Sequence, residues 1–253
     1  MNEAFGLQGR CVLVTGGTRG IGRAISLQFA RAGALVLANY ARNDDAAQSL
    51  VAAAAAEGLA LEALRADLTL PKGLAAVQER LEQVKDKTIV IVHCAATGVH
   101  KPIAELTARH LDFTLALNVR AFFELVRGTL GLLKPGSAIV AVSSAGATRA
   151  VPAYATVGTS KGALEALARQ LAVELAPQGV RVNILSPGSV RTDAWDAFPD
   201  KEQRLADALR RSPRGRLVEP EEVALAAQFL CSDAAAALVG HTLVVDGGTR
   251  ILE

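Results

Sequence analysis

A run of glycines stands near the start of the chain: Gly16-Gly17-Thr18-Arg19-Gly20-Ile21-Gly22, directly after the apolar stretch 11–15 and directly before a helical pattern. Glycines there let the backbone turn sharply and approach a pyrophosphate. The helix N-terminus behind them offers free N–H groups and the positive end of its dipole. That position between a first strand and a first helix favours a dinucleotide cradle over a merely tight turn. The second apolar run ends in Asn39-Tyr40-Ala41-Arg42, with no carboxylate before Asp44. A ribose 2′-hydroxyl usually meets an acidic residue at this point, and a 2′-phosphate meets a basic one. Arg42 and Arg19 carry guanidinium forks suited to phosphate oxygens, which points to NADPH rather than NADH.

These residues need a scaffold, and the rest of the chain supplies its rhythm. Short β-rich runs over 11–15, 35–39, 59–65, 88–93, 137–142, 180–185 and 242–245 alternate with helical patterns over 20–32, 44–57, 71–84, 107–133, 153–175 and 219–230. Most of the runs are apolar on both faces, as parallel strands covered by helices must be. The alternation predicts a doubly wound α/β fold, with right-handed crossovers and helices on both faces of one sheet. No linker or shift of composition divides residues 1–253, so a single domain is expected. The stretch 189–217 breaks the rhythm and holds the only tryptophan, Trp195, which suggests a lid-like insert.

Composition narrows the class. Of 253 residues 51% are hydrophobic and 4% aromatic, and 27 Lys+Arg against 25 Asp+Glu leave a net charge of +2. Neither a basic excess nor aromatic stacking platforms mark a nucleic-acid binder. Cys11, Cys94 and Cys231 are scattered, without a CxxC, and read as small buried hydrophobes in a reducing compartment. No apolar run has transmembrane length and the first residues lack the pattern of a signal peptide, so a cytoplasmic protein is expected. His93, His100, His110 and His241 show no metal-ligand spacing, and no metal site is expected. Arg210, Arg211, Arg214 and Arg216 form a basic cluster in the insert. It reads either as a solvated face or as a docking patch for an acidic carrier.

Taken together, 15–22 (TGGTRGIG), Asn118, Ser144, Lys161, Pro187-Gly188 and the closing Val245-Asp246-Gly247-Gly248 resemble the short-chain dehydrogenase/reductase family over nearly the whole chain. The resemblance implies a seven-stranded Rossmann sheet, a nicotinamide cofactor and often a homotetramer. It also implies a tyrosine four residues before the lysine that protonates the substrate oxygen. The lysine would hold the nicotinamide ribose and lower the phenol's pKa, and a serine would bond the same oxygen. This sequence has Val157 in the tyrosine's place, and the phenol instead stands at Tyr154, seven residues before Lys161. Seven helical residues turn through about 700°, within roughly 20° of the start, so Tyr154 and Lys161 share one helix face, about 10.5 Å apart along the axis.

The Tyr-x6-Lys spacing resembles the enoyl-acyl carrier protein reductases of the family, most of all the NADPH-dependent type III group. Local likenesses are 39–42 (NYAR), 95–98 (AATG), 154–161 with its LEAL continuation, and 192–199 (TDAWDAFP). The chemistry fits the displacement. A 2-enoyl thioester takes hydride at its β-carbon and develops charge on the thioester oxygen, two carbons further along. Tyr154 would then stabilise the enolate, with Lys161 as a nearby cation. Ser144 either contacts the same oxygen or lines the cofactor pocket. Asn118 has either a structural task or a place in a proton relay.

The resemblance further implies that Asp67 and Leu68 reach the adenine, and that Cys94, Ala95 and Ala96 face the cofactor. Pro187, Gly188, Val190 and Thr192 would approach the nicotinamide carboxamide. The expected activity is NADPH-dependent reduction of an enoyl thioester carried on acyl carrier protein or coenzyme A. The alternatives are a 3-ketoacyl or carbonyl reductase of secondary metabolism and a non-catalytic NADPH-binding sensor or scaffold.

Overall fold

The computed structural model describes residues 3–198 and 200–252; Pro199, the last residue of the 192–199 likeness, lies outside them. In chain order the main elements are β1 (Arg10–Thr15), α1 (Gly20–Arg31), β2 (Leu35–Tyr40), α2 (Asp44–Ala56), β3 (Leu61–Arg65), α3 (Pro71–Glu82), β4 (Thr88–His93), α4 (Ala108–Leu115), α5 (Ala121–Thr129), β5 (Ala138–Val142), α6 (Ala155–Leu175), β6 (Arg181–Pro187), α7 (Lys201–Arg211), α8 (Pro220–Cys231) and β7 (Thr242–Val245). The strands form one seven-stranded sheet in the order β3-β2-β1-β4-β5-β6-β7, and every pairing is parallel.

Alternation along each strand feeds two cores. On β1, Cys11 and Leu13 join the face covered by α3, α5 and α6. Val12 and Val14 join the face covered by α1 and α8. Phe122 and Phe29 are the largest fully buried side chains. Burying each contributes about 2 kcal/mol, which helps fix the helices on the sheet. The strand order reverses between β1 and β4. That leaves a crevice at their carboxyl ends, where open α/β sheets bind ligands.

The structure departs from the sequence pattern in five places. β3 begins two residues later than expected, and β6 runs two further, to Pro187. The helix expected over 107–133 is broken: α4 gives way to a π-helical turn (Ala116–Arg120), then α5, then a 3-10 turn (Leu130–Leu132). α6 begins at Ala155 rather than at 153, because Ala153 adopts φ +56° and cannot extend a right-handed helix. The 189–217 insert is not irregular. It holds a 3-10 turn (Asp193–Ala197) and α7, and a bridge between Val190 and Val218 ties its two ends.

Candidate active site

The glycine turn follows β1 and opens α1. Gly16 has φ +63°, and a Cβ there would stand 2.9 Å from Ala95 Cα; a Cβ on Gly22 would meet Gly16 O at 2.1 Å. The turn can therefore close only on hydrogen atoms, which leaves backbone exposed where a phosphate would lie. Thr15 anchors it from below. Its Oγ1 accepts from Cys94 N at 3.1 Å and Ala95 N at 3.0 Å, and lies 3.0 Å from His93 Nδ1. Cys94 and Ala95 thus present backbone to the crevice. Thr18 is buried, Arg19 is exposed, and Gly20 sits under Thr192, whose methyl would lie 3.4 Å from a Cβ. Gly188 N donates to Val245 O at 3.0 Å, fixing the Pro187-Gly188 turn at the end of β6.

At the end of β2, Asn39 turns inward, donating to Leu64 O and Ala66 O at 3.2 and 2.9 Å. The first carboxylate beyond it, Asp44, takes Tyr40 Oη at 3.0 Å and Arg65 at 3.2 Å. Arg42 is exposed beside them. The residues present therefore suit a 2′-phosphate, with no acid offered to a 2′-hydroxyl. Asp67 bonds the Thr69 hydroxyl and amide, which with Arg42 hold its carboxyl below the usual range. Leu68 packs its side chain into the core under α3 and α5. Val190 is buried likewise, and its carbonyl accepts the Trp195 indole N–H at 2.7 Å, which anchors the insert.

Tyr154 is the residue immediately before α6, delivered by the left-handed Ala153. Its ring lies over Gly146, where a Cβ would come within 2.6 Å of Cε1. His100 stacks on it with centroids 5.5 Å apart and planes at 25°. Burial pushes the phenol's pKa up, and nearby Ser144 pulls it down. Ser144 Oγ is buried without a well-formed hydrogen bond, an orphaned hydroxyl beside the phenol. Beside Tyr154 opens a pocket of about 370 Å³ that reaches Lys101, Ile103 and Arg149. A hollow of about 450 Å³ between α3 and α5 brings none of these residues together.

Lys161 corrects an expectation. Its Nζ donates to Val142 O at 2.7 Å, at the end of β5. Burial drives its pKa down to about 8. It stands two turns along α6 from Tyr154, and the phenol's pKa is governed by burial and Ser144 rather than by this cation. Val157, in the place of the expected tyrosine, is buried, and a Cβ on Gly98 would meet its Cγ2 at 2.1 Å. That position is filled by packing.

Asn118 lies in the π-helical turn, fully buried. Its Oδ1 accepts from Thr97 N at 2.8 Å, and its Nδ2 donates to Thr97 O and Ser160 Oγ, each at 2.9 Å. The side chain holds the loop after β4 against α6. His93 is fully buried, with its pKa driven to about 3 by burial and Lys161. It is neutral and no base. Burial raises the Cys94 thiol to about 11, and Lys161 opposes the rise. Among the described residues no three His, Cys, Asp or Glu groups come together as metal ligands, and no helix is long and apolar enough to cross a membrane.

Sequence reasoning missed Thr15 as the anchor, although it heads the glycine motif. It also missed His100, Phe198 and Arg204. Phe198 packs on His100 at 4.2 Å, and the Arg204 guanidinium lies 4.6 Å above the Phe198 ring. Nothing in the spacing of these residues signals the cluster. The basic cluster of the insert is compensated: Arg210 pairs with Asp207, and Arg214 and Arg216 share Glu222.

Residues 16–250 match the family model described as Enoyl-(Acyl carrier protein) reductase. The chain is 37% identical to 1-cyclohexenylcarbonyl-CoA reductase of Streptomyces collinus, over 95% of this chain and 86% of that protein. It is 28% identical to tetrahydroxynaphthalene reductase of Pyricularia oryzae, over 97% and 91%. Among solved structures, a short chain dehydrogenase from Burkholderia cenocepacia in complex with NADP superposes with a TM-score of 0.86, at 31% identity and over 96% and 99% of the two chains.

Proposed function

The chain belongs to the short-chain dehydrogenase/reductase family, and from that premise we propose that it is an NADPH-dependent reductase of the 2,3 double bond of an enoyl thioester. The observation that carries this reading is the displaced phenol. Val157 fills the usual tyrosine position against Gly98, while Tyr154 is set beside Ser144. The likeness to a reductase of an unsaturated CoA thioester supports it.

NADPH would lie across the glycine turn, with Arg42 and Arg19 on its 2′-phosphate and backbone at Cys94, Ala95, Ala96, Pro187 and Gly188 along its length. When bound it supplies a hydride to the β-carbon. Tyr154 donates a hydrogen bond to the thioester oxygen and holds the charge that gathers there, and the enolate is completed by a solvent-derived proton at its α-carbon. Ser144, with no other partner, adds a second donor to that oxygen. Lys161, held on Val142 O, keeps a positive charge by the nicotinamide ribose. The insert, anchored through Val190 and Trp195, closes over the phenol and keeps water away. The carrier is acyl carrier protein or coenzyme A. The chain works as one domain in a cytoplasmic homotetramer, the family's common assembly.

A carbonyl reductase is the rival reading. The adjacent Ser144 and Tyr154 would also suit a ketone oxygen, and the naphthol reductase relative lends it weight. The test is NADPH consumption with a 2-enoyl thioester and with a 3-ketoacyl thioester, by wild type and Tyr154→Phe. Turnover of the enoyl substrate, cut about a hundredfold or more in Tyr154→Phe, is the expected result. Turnover of the keto substrate alone overturns it.

A further inference from the structure

The thioester carbonyl at Tyr154 carries two arms, the carrier and the acyl chain, and they must leave in different directions. The pocket of about 370 Å³ beside Tyr154 is open and reaches Lys101 and Arg149, cations suited to a phosphorylated carrier arm. His100, Phe198 and Trp195 do not line it. His100 and Phe198 stand instead on the ring of Tyr154 itself, and Trp195 on Phe198. His100 stacks on Tyr154, Phe198 packs against His100 at 4.2 Å, and Trp195 lies 6.0 Å from Phe198. Tyr154 and Phe198 are nearly parallel, at 15° and 6.5 Å.

The cluster is locked from outside. Arg204 on α7 covers Phe198 at 4.6 Å and donates to Pro152 O at 3.3 Å, next to the strained Ala153. The Trp195 indole is tied to Val190 O. Rings packed at these distances are in mutual contact. A long chain running past Tyr154 would have to part them, and opening such contacts sacrifices dispersion over every atom separated.

We propose that His100 and Phe198, closed on Tyr154, cap the acyl end of the site, so that the enzyme takes compact 2-enoyl groups (short, branched or cyclic) and turns away long linear chains. This specificity rests on the enoyl reductase reading above. It predicts that size governs substrate choice, because the cap meets the chain with closely packed flat rings.

The experiment compares kcat/KM of the holoenzyme with NADPH for crotonyl-CoA, 1-cyclohexenylcarbonyl-CoA and dodecenoyl-CoA, in wild type, Phe198→Ala and His100→Ala. NADPH binding by fluorescence confirms that each variant is folded. Wild type is expected to favour the two compact substrates over dodecenoyl-CoA by about tenfold or more. Either truncation should lower that ratio by a similar factor, mainly through KM for the long chain. A wild type that prefers dodecenoyl-CoA, or a ratio unmoved in both variants, overturns the cap and leaves the reductase reading standing. No turnover of any of the three acyl groups, offered on coenzyme A and on acyl carrier protein alike, overturns both.

Discussion

Lys161 donates its ammonium to the carbonyl of Val142 at 2.7 Å. The contact draws the cation back from the end of α6 that carries Tyr154 and seats it at the end of β5. It is a charge in a buried place, and its cost depends on pH.

Burial lowers the Lys161 pKa from an ordinary 10.5 to about 8. Below about pH 8 the lysine is charged in both folded and unfolded chains, and the full cost of burying it is present. Between 8 and 10.5 the unfolded chain holds more protons than the folded one, so stability rises with pH in that window. Urea titrations of the cofactor-free protein should show wild type gaining on Lys161→Met from pH 8 to 10.5, by a few kcal/mol in all. A difference flat across that range would mean that the ammonium keeps its ordinary affinity for protons.

Gly146→Ala should disable the site without unfolding it. The new methyl would come 2.6 Å from Tyr154 Cε1, and the ring can yield only by pressing on His100 and Phe198. A stability loss of about 1–3 kcal/mol is expected. With the phenol displaced, kcat should fall about tenfold or more, since such hydrogen bonds act only in correct geometry. NADPH affinity should hold. Equal kcat in the variant would separate Tyr154 from the chemistry.

Asn118→Ala should be costly to the fold. It strands the amide and carbonyl of Thr97 and removes a partner of Ser160 Oγ, all at a buried side chain. The expected loss is about 2–4 kcal/mol, read as a lower urea midpoint at unchanged slope. Asn118→Asp keeps the acceptor for Thr97 N and should fall between. A loss below about 0.5 kcal/mol would show that the loop after β4 is held by other contacts.

What the sequence made legible follows from how local each feature is. The strands 88–93 and 242–245 stand where their apolar runs predict, because a buried parallel strand announces itself in consecutive residues. The glycine turn and the absence of an acid after β2 were readable for the same reason. The π-helical turn was not, since one extra residue between α4 and α5 hardly disturbs a 3.6-residue period. α7 was hidden by its polarity: KEQRLADALRR offers only a narrow apolar stripe. The spacing of Tyr154 and Lys161 put them on one helix, whereas Tyr154 stands just before α6 as its N-cap. It did not reveal that Lys161 turns to Val142 or that His100 covers the phenol, because both contacts come from strands and loops distant in the chain.

The hydroxyl of Thr15 has one proton to give and two lone pairs to share. The amides of Cys94 and Ala95 occupy the lone pairs, so the proton goes to His93 Nδ1, 3.0 Å away. The imidazole must then carry its own hydrogen on Nε2, a buried atom without a well-formed hydrogen bond. A single threonine on one strand thus selects the tautomer of a histidine on the next.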